Sequence, residues 1–386
     1  MRDGFFGVIK RWLIGFMLVL ATSLLHAESD AVQPPAPWLQ VIRDTPYVFS
    51  DGFYLNISII RRWVLLEQSY CEQPDRHILF DQRGRFLTWF ENEDTVAENQ
   101  ERLNRIRETL YRDDRVHRWI GGSATETGYP FALRCDQPHV DLSAAIDRLL
   151  GTDPADRVWG TWDGMVAGSE DEPIPLIDLV RQVFNDKAER QGYEPGEAVV
   201  QAFIGQVLIE SGARKESFSA ARAVGLLQLR PEVLADCEID ERFHLHRMAQ
   251  VDCAVRLYQQ NDRNLRPVFD ERFGHLPAAQ RERLYSLLLV QAYHGGIGRL
   301  MQLLGDEEPG AAAVQFAADA ERYSAEDIAL GLVFHNMGRI SLGLDSLYYL
   351  VDVRIATEAV CDTRPQACEP VTDATQSTSS DPAQSD

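Results

Sequence analysis

Hydrophobic and polar positions change their rhythm once along this chain, at about residue 170. Ahead of that point, short apolar runs alternate with polar ones. "YLNISII" (54–60) and "HILFDQRGRFLTWF" (77–90) carry β-branched and aromatic residues in runs of strand length. The second run has a turn at Gln82-Arg83-Gly84. "DTVAENQERLNRIRETLYRDD" instead puts Leu103, Ile106 and Leu110 on one helical face. "GTDPADRVWGTWDGMVAGSEDEPIP" (151–175) is dense in Gly, Asp and Pro and predicts a boundary or long loop. Helical spacing then takes over, through Leu176, Leu179, Val180 and Val183, then Val199, Phe203 and Val207, then Val251, Ala254, Val255 and Tyr258. A nearly unbroken apolar run from Leu284 to Ala292 follows. The pattern predicts an α+β protein: a smaller mixed α/β domain at 46–165, then an all-α domain at 170–360 built as a bundle.

The two ends read differently. Arg2, Lys10 and Arg11 precede an apolar stretch from Leu13 to Leu25 that is short for a bilayer span, so residues 1–27 predict an export signal. Cleavage sites stand after Ser23 and Ala27, and an uncleaved segment would be an inner-membrane anchor. Residues 28–45, with "VQPPAPW", predict a linker, and 369–386, almost without large apolar residues, a disordered tail.

The net charge of −21, from 59 acidic against 38 basic residues, argues against the basic face that nucleic acid or anionic lipid requires. The six cysteines Cys71, Cys135, Cys237, Cys253, Cys361 and Cys368 are even in number, and an exported chain favours disulfides over free buried thiols. Pairing neighbours in sequence gives 71–135, 237–253 and 361–368. No C-x-x-C occurs, and no His-x3-His pattern sits beside a Cys pair, so no metal site is predicted.

The chemistry concentrates after Val207. Glu210 ends an apolar helix and is followed by Ser211 and Gly212, a helix stop. Standing three positions after Val207, it borders the buried face. Burial and the helix C-terminus both disfavour the carboxylate, so its pKa is expected to rise to where it can donate a proton near neutrality. Most glutamates at helix ends are simply solvated. The surrounding constellation argues otherwise.

Glu210-Ser211, Gly225-Leu226-Leu227-Gln228 with Ala223 before it and Pro231 after it, Ser219 between them, and "AYHGGIGRL" (292–300) occur in order. Together with a later tyrosine helix, "DSLYYLVDV", this constellation resembles the lytic transglycosylase domain of the SLT type, related to goose-type lysozyme. The resemblance covers roughly residues 174–360. This chain departs from the family's pattern at His294, where Asn is usual, at Arg222, where a small Gly is common, and at Leu227, where Met is usual.

What the resemblance implies is a lysozyme-like fold and periplasmic cleavage of peptidoglycan glycan strands. Glu210 would be the single acid and base, with formation of a 1,6-anhydro end and no metal or cofactor. It nominates Ser219, Gly225, Gln228, Tyr293, His294 and Tyr349 (Tyr348 in the alternate register) as substrate contacts. For Gln228 a turn-stabilising role stays open, for Ser219 a helix N-cap, and for Tyr293 and Tyr349 core packing. Gly225 serves either close approach to the sugar or a positive φ. No second catalytic carboxylate is apparent: Glu216 lies in a variable spacer. The region 46–165 carries no catalytic motif and is the candidate contact for a cell-envelope protein. A glycan-binding scaffold without catalysis and a hydrolytic lysozyme are the alternative readings.

Overall fold

The computed structural model describes residues 53–66, 76–80, 86–113, 115, 131–133, 140–219, 221–336, 340 and 342–368. The expected signal, linker and tail, the Gln82-Arg83-Gly84 turn, Cys71 and Cys135 lie outside them. The described chain is mostly helical with two small antiparallel sheets, an α+β composition. Helix α1 (Phe53–Leu66) precedes strands β1 (Arg76–Phe80) and β2 (Phe86–Glu91), helix α2 (Val96–Arg112) and strand β3 (Phe131–Leu133). Helix α3 (Leu142–Leu150) and the hairpin β4 (Gly160–Trp162) and β5 (Met165–Ala167) come next. The helices α4 (Leu176–Gln191), α5 (Glu197–Ser211), α6 (Pro231–Asp236), α7 (Arg247–Phe273) and α8 (Ala278–Gly295) follow. The last are α9 (Ile297–Leu304), α10 (Ala311–Ala318), α11 (Ala325–Phe334) and α12 (Leu344–Thr363).

The strand pattern of 77–90 is realised as the hairpin β1–β2, with β3 on the other edge of β1 in the order β2-β1-β3. A Thr95–Glu98 capping box starts α2. Leu103 and Leu110 of that helix pack on Leu79 and Phe90, with Ile106 partly buried beside them.

The strand expected at 54–60 is instead the first half of α1. Its β-branched Ile57 and Ile59 favour a strand locally, but the wider window shows Ile57, Arg61 and Val64 at helical spacing, all buried. Tertiary packing against α11 and α12 decides the matter. The loop expected at 151–175 also has structure. Val158 bridges Ile174, β4 pairs with β5, and Gln182 of α4 donates to the Val166 carbonyl at 2.6 Å. Trp162 lies over His246, ring centroids 5.3 Å apart. Helices α1 and α3 come from the stretch assigned to the accessory domain, yet α1 packs on α11 and α12, and α3 on α4 and α5.

The centre of the bundle is α5 against α12. Helix α5 is buried almost all round, from Val199 to Ile209, as a helix enclosed by others must be. A Cβ on Gly205 would sit 2.2 Å from Thr357 Oγ1 and 2.5 Å from the Val353 carbonyl oxygen, so only glycine permits this crossing. The expected pairs Cys237–Cys253 and Cys361–Cys368 are bonded, the first tying α6 to α7. Among the described residues no helix is long and apolar enough to cross a membrane.

Candidate active site

Glu210 occupies the last turn of α5, and the positive φ of Gly212 (64°) ends that helix immediately after it. The Arg148 side chain of α3 donates from Nε to the Gly212 carbonyl at 2.7 Å, which gives this helix C-terminus a cationic cap. Glu210 is half-buried and opens into a cavity of about 1020 Å³. Gln228, Tyr293, His294 and Tyr349 line the same cavity, with Ser219 exposed on its wall.

The distant motifs meet because each holds the backbone of the turn at 225–228. Ser211 donates its hydroxyl proton to the Leu226 carbonyl at 2.7 Å, and Tyr293 donates to the Leu227 carbonyl at 2.7 Å. Gln250 accepts from the Leu227 N–H at 3.1 Å and donates to the Val224 carbonyl at 3.1 Å. Leu226 and Leu227 point into the core, fully buried.

The carboxyl of Glu210 is pushed up to about 7, chiefly because burial disfavours its anion. Two side chains pull the other way. Tyr349 donates its hydroxyl to Glu210 Oε1, and Gln206, one turn earlier on α5, faces the same carboxyl. Tyr258 in turn donates to Gln206 Oε1. The register question at 348–349 is decided by packing: Tyr349 reaches Glu210, while Tyr348 lies under the Arg61 guanidinium, 4.8 Å from the ring centroid. His294 stacks face to face on Tyr349, centroids 4.1 Å apart at 20°. An imidazole at this position therefore adds a flat surface over the tyrosine that fixes the acid.

Not every nominated residue behaves as expected. Gly225 is buried away from the cavity lining. Its φ is +77°, and a Cβ there would sit 2.5 Å from Gln250 Nε2, so the turn itself requires a glycine here. Ser219 caps no helix; its Oγ accepts from the Ala223 N–H at 3.0 Å within the loop. Gln228 does both of the things weighed for it, donating to the Gly225 carbonyl at 2.9 Å while lining the cavity. Arg222 has φ 63°, a left-handed conformation that glycine adopts without steric cost. Glu216 is exposed beside Lys215 and away from the cavity lining.

Sequence reasoning missed Asp345, Asn261, Gln206, Gln250 and Arg148. Asp345 stands one turn before Tyr349 on α12 and lines the cavity, a spacing that was legible once the Tyr349 register was settled. Gln250 and Arg148 carried no signal, because the turn at 224–227 and the Gly212 carbonyl that they hold lie 23 to 64 positions away. Among the described residues no cluster of His, Cys, Asp and Glu is placed to hold a metal ion. The chain matches no protein-family model and no curated protein sequence.

Tyr349→Phe keeps the ring beneath His294 and removes only the hydrogen bond to Glu210. That bond favours the anion, so its loss raises the Glu210 pKa further, on the order of one pH unit. The alkaline limb of the kcat/KM profile is expected to move to higher pH, with a rate loss of roughly tenfold. A profile that stays in place would show that the hydroxyl does not govern the acid.

Proposed function

We propose that this chain is a lytic transglycosylase of the lysozyme-like SLT type. It cleaves the β-1,4 bond between N-acetylmuramic acid and N-acetylglucosamine in peptidoglycan. The observation that carries the reading is the protonatable Glu210 carboxyl, half-buried and held by Tyr349 on the wall of a sugar-sized cavity. The linked motifs 210–211, 225–228 and 292–296 around it support the family resemblance.

The chemistry follows from one group used twice. Glu210 gives its proton to the glycosidic oxygen as the C1–O bond breaks, and the muramoyl acetamido carbonyl steadies the cation at C1. The resulting Glu210 carboxylate takes the proton of the C6 hydroxyl while O6 attacks C1, which closes the 1,6-anhydro ring and restores the acid. A pKa about 7 suits both halves, because the group spends time in each form near neutrality. The expected setting is the periplasm, where the two disulfides are stable.

Asp345 favours a second reading, hydrolysis, because an inverting or retaining lysozyme needs another carboxyl facing the sugar, and Asp345 lines this cavity. Mass analysis of the products from purified peptidoglycan separates the cases. Anhydro ends, with Asp345→Asn retaining most activity, are the expected result. Reducing ends that vanish with Asp345→Asn would establish the lysozyme, and intact glycan would leave a binding scaffold.

A further inference from the structure

Three tyrosines, Tyr258, Tyr293 and Tyr349, lie within the electrostatic reach of Glu210. Two of them are braced by the core. The rings of Tyr258 and Tyr293 are 5.7 Å apart, and Tyr258 meets Phe203 edge-on at 5.2 Å. Their hydroxyls are committed elsewhere, Tyr258 to Gln206 and Tyr293 to the Leu227 carbonyl. Tyr349 is the one that donates to the Glu210 carboxyl. Among the described residues its ring stacks on a single partner, the imidazole of His294, at 4.1 Å and 20°.

The backbone of His294 is fixed near the end of α8, where the preceding Tyr293 anchors to the turn at 225–228. Neither ring nitrogen of His294 meets a protein hydrogen-bonding partner among the described residues, and the residue is exposed on the cavity wall. What it contributes is a face. Stacked rings prefer a narrow range of offsets and tilts, so a ring laid on Tyr349 restricts the swing of the phenol about its side-chain bonds. Tyr349 lines the cavity yet is only 5% exposed. Taking the imidazole away opens that ring to water, which competes for the hydroxyl. Asp345 of α12 and Arg299 of α9 are the charged groups that act on the imidazole. Partial burial lowers its pKa, Asp345 pulls it up and Arg299 pushes it down again. The ring is therefore uncharged at pH 7 and acts through its shape.

We propose that His294 is a positioning residue: its ring, laid on Tyr349, keeps the phenol hydroxyl on the Glu210 carboxyl. The inference rests on the reading of Glu210 as the acid and base of this cavity, and it gives His294 a task other than touching the sugar. Two substitutions separate shape from the rest. Leucine fills much of the same space and keeps water out, but presents no flat ring. Phenylalanine presents the ring without the nitrogens.

Carbon-13 NMR of glutamate-labelled protein, with the Glu210 resonance assigned from its loss in Glu210→Gln, reads the pKa of the acid without any substrate. His294→Leu is expected to raise that pKa by about 0.5 to 1 pH unit, the change that loss of one hydrogen bond to the anion brings. His294→Phe should leave it at the wild-type value. Adding His294→Leu to Tyr349→Phe should move it no further, because the hydroxyl through which His294 acts is already gone. On peptidoglycan, kcat should fall up to roughly tenfold in His294→Leu with KM little changed, and His294→Phe should restore it. A Glu210 pKa that stays in place in His294→Leu overturns the inference, and a raised KM beside it would make His294 a sugar contact. A shift equally large in His294→Phe, or undiminished in the Tyr349→Phe background, overturns it as well. Should the wild-type chain leave peptidoglycan intact while the coupling of His294, Tyr349 and Glu210 holds, the transglycosylase reading fails and the positioning of the carboxyl stands. Anhydro ends without that coupling give the converse.

Discussion

Glu210→Gln is expected to lower kcat/KM on peptidoglycan by at least about a thousandfold, and to make the protein more stable at pH 8. Both effects come from one fact, the burial that pushes the carboxyl from 4.5 to about 7 against the opposing pull of Tyr349 and Gln206. Glutamine keeps the size and the acceptor facing Tyr349 but has no proton to give. For stability, the folded state holds this proton between pH 4.5 and about 7 while the unfolded chain has released it. Folding is therefore worth less as pH rises through that window, and the loss is complete above it. The shift corresponds to a few kcal/mol at most, and partial solvent access reduces it to on the order of 2 kcal/mol. The amide escapes that cost. Thermal melting across pH should show the variant and wild type converging near pH 4 and separating by pH 8. Wild-type cleavage by Glu210→Gln would remove the acid from the mechanism. A constant melting difference at all pH values would show that the carboxyl is not held in a desolvated site.

Physical reasons divide what could be read along the chain from what could not. Helices α4, α5, α7 and α8 were visible in the spacing and density of their apolar residues, and α2 in its apolar face. Helix α1 was hidden because its isoleucines cluster in a window shorter than two helical turns, and α12, far away in sequence, supplies its partner surface. The hairpin β4–β5 was hidden because glycines and aspartates mark a loop and a tight hairpin alike. Glu210 was legible since it breaks an apolar run at a helix stop. Its link to Tyr349 was legible only through resemblance, because the two are 139 positions apart. Asn261 was illegible: within "QQNDRN" it reads as one more polar residue on a solvated face, and only the packing of α7 turns it inward.

The second large effect is expected outside the cavity lining. Arg61 of α1 and Asp352 of α12 form a fully buried pair, Nε to Oδ1 at 2.7 Å and Nη2 to Oδ2 at 2.7 Å. Even beside Arg61, burial holds the Asp352 carboxyl above its ordinary range. Arg61→Met removes the influence that acts against burial and leaves the carboxyl, among the described residues, without its counter-charge in the core. The expected loss is about 3–5 kcal/mol, smaller at pH 5 than at pH 8, since an uncompensated Asp352 is stable in the fold only when protonated. Asp352 lies three positions beyond Tyr349 on the same helix, so a loosened α12 also releases the hydroxyl that holds Glu210. Cleavage should therefore fall in a variant that leaves every cavity residue in place. Adding Asp352→Leu to Arg61→Met replaces the pair by apolar packing and should restore most of the melting temperature. It should restore activity in parallel, because the docking of α1 on α12 is what the pair maintains. Recovery of stability without recovery of activity would mean that the ionic contact itself sets the position of Tyr349. A single variant that melts like the wild type would mean that α1 is not docked on α12 at all.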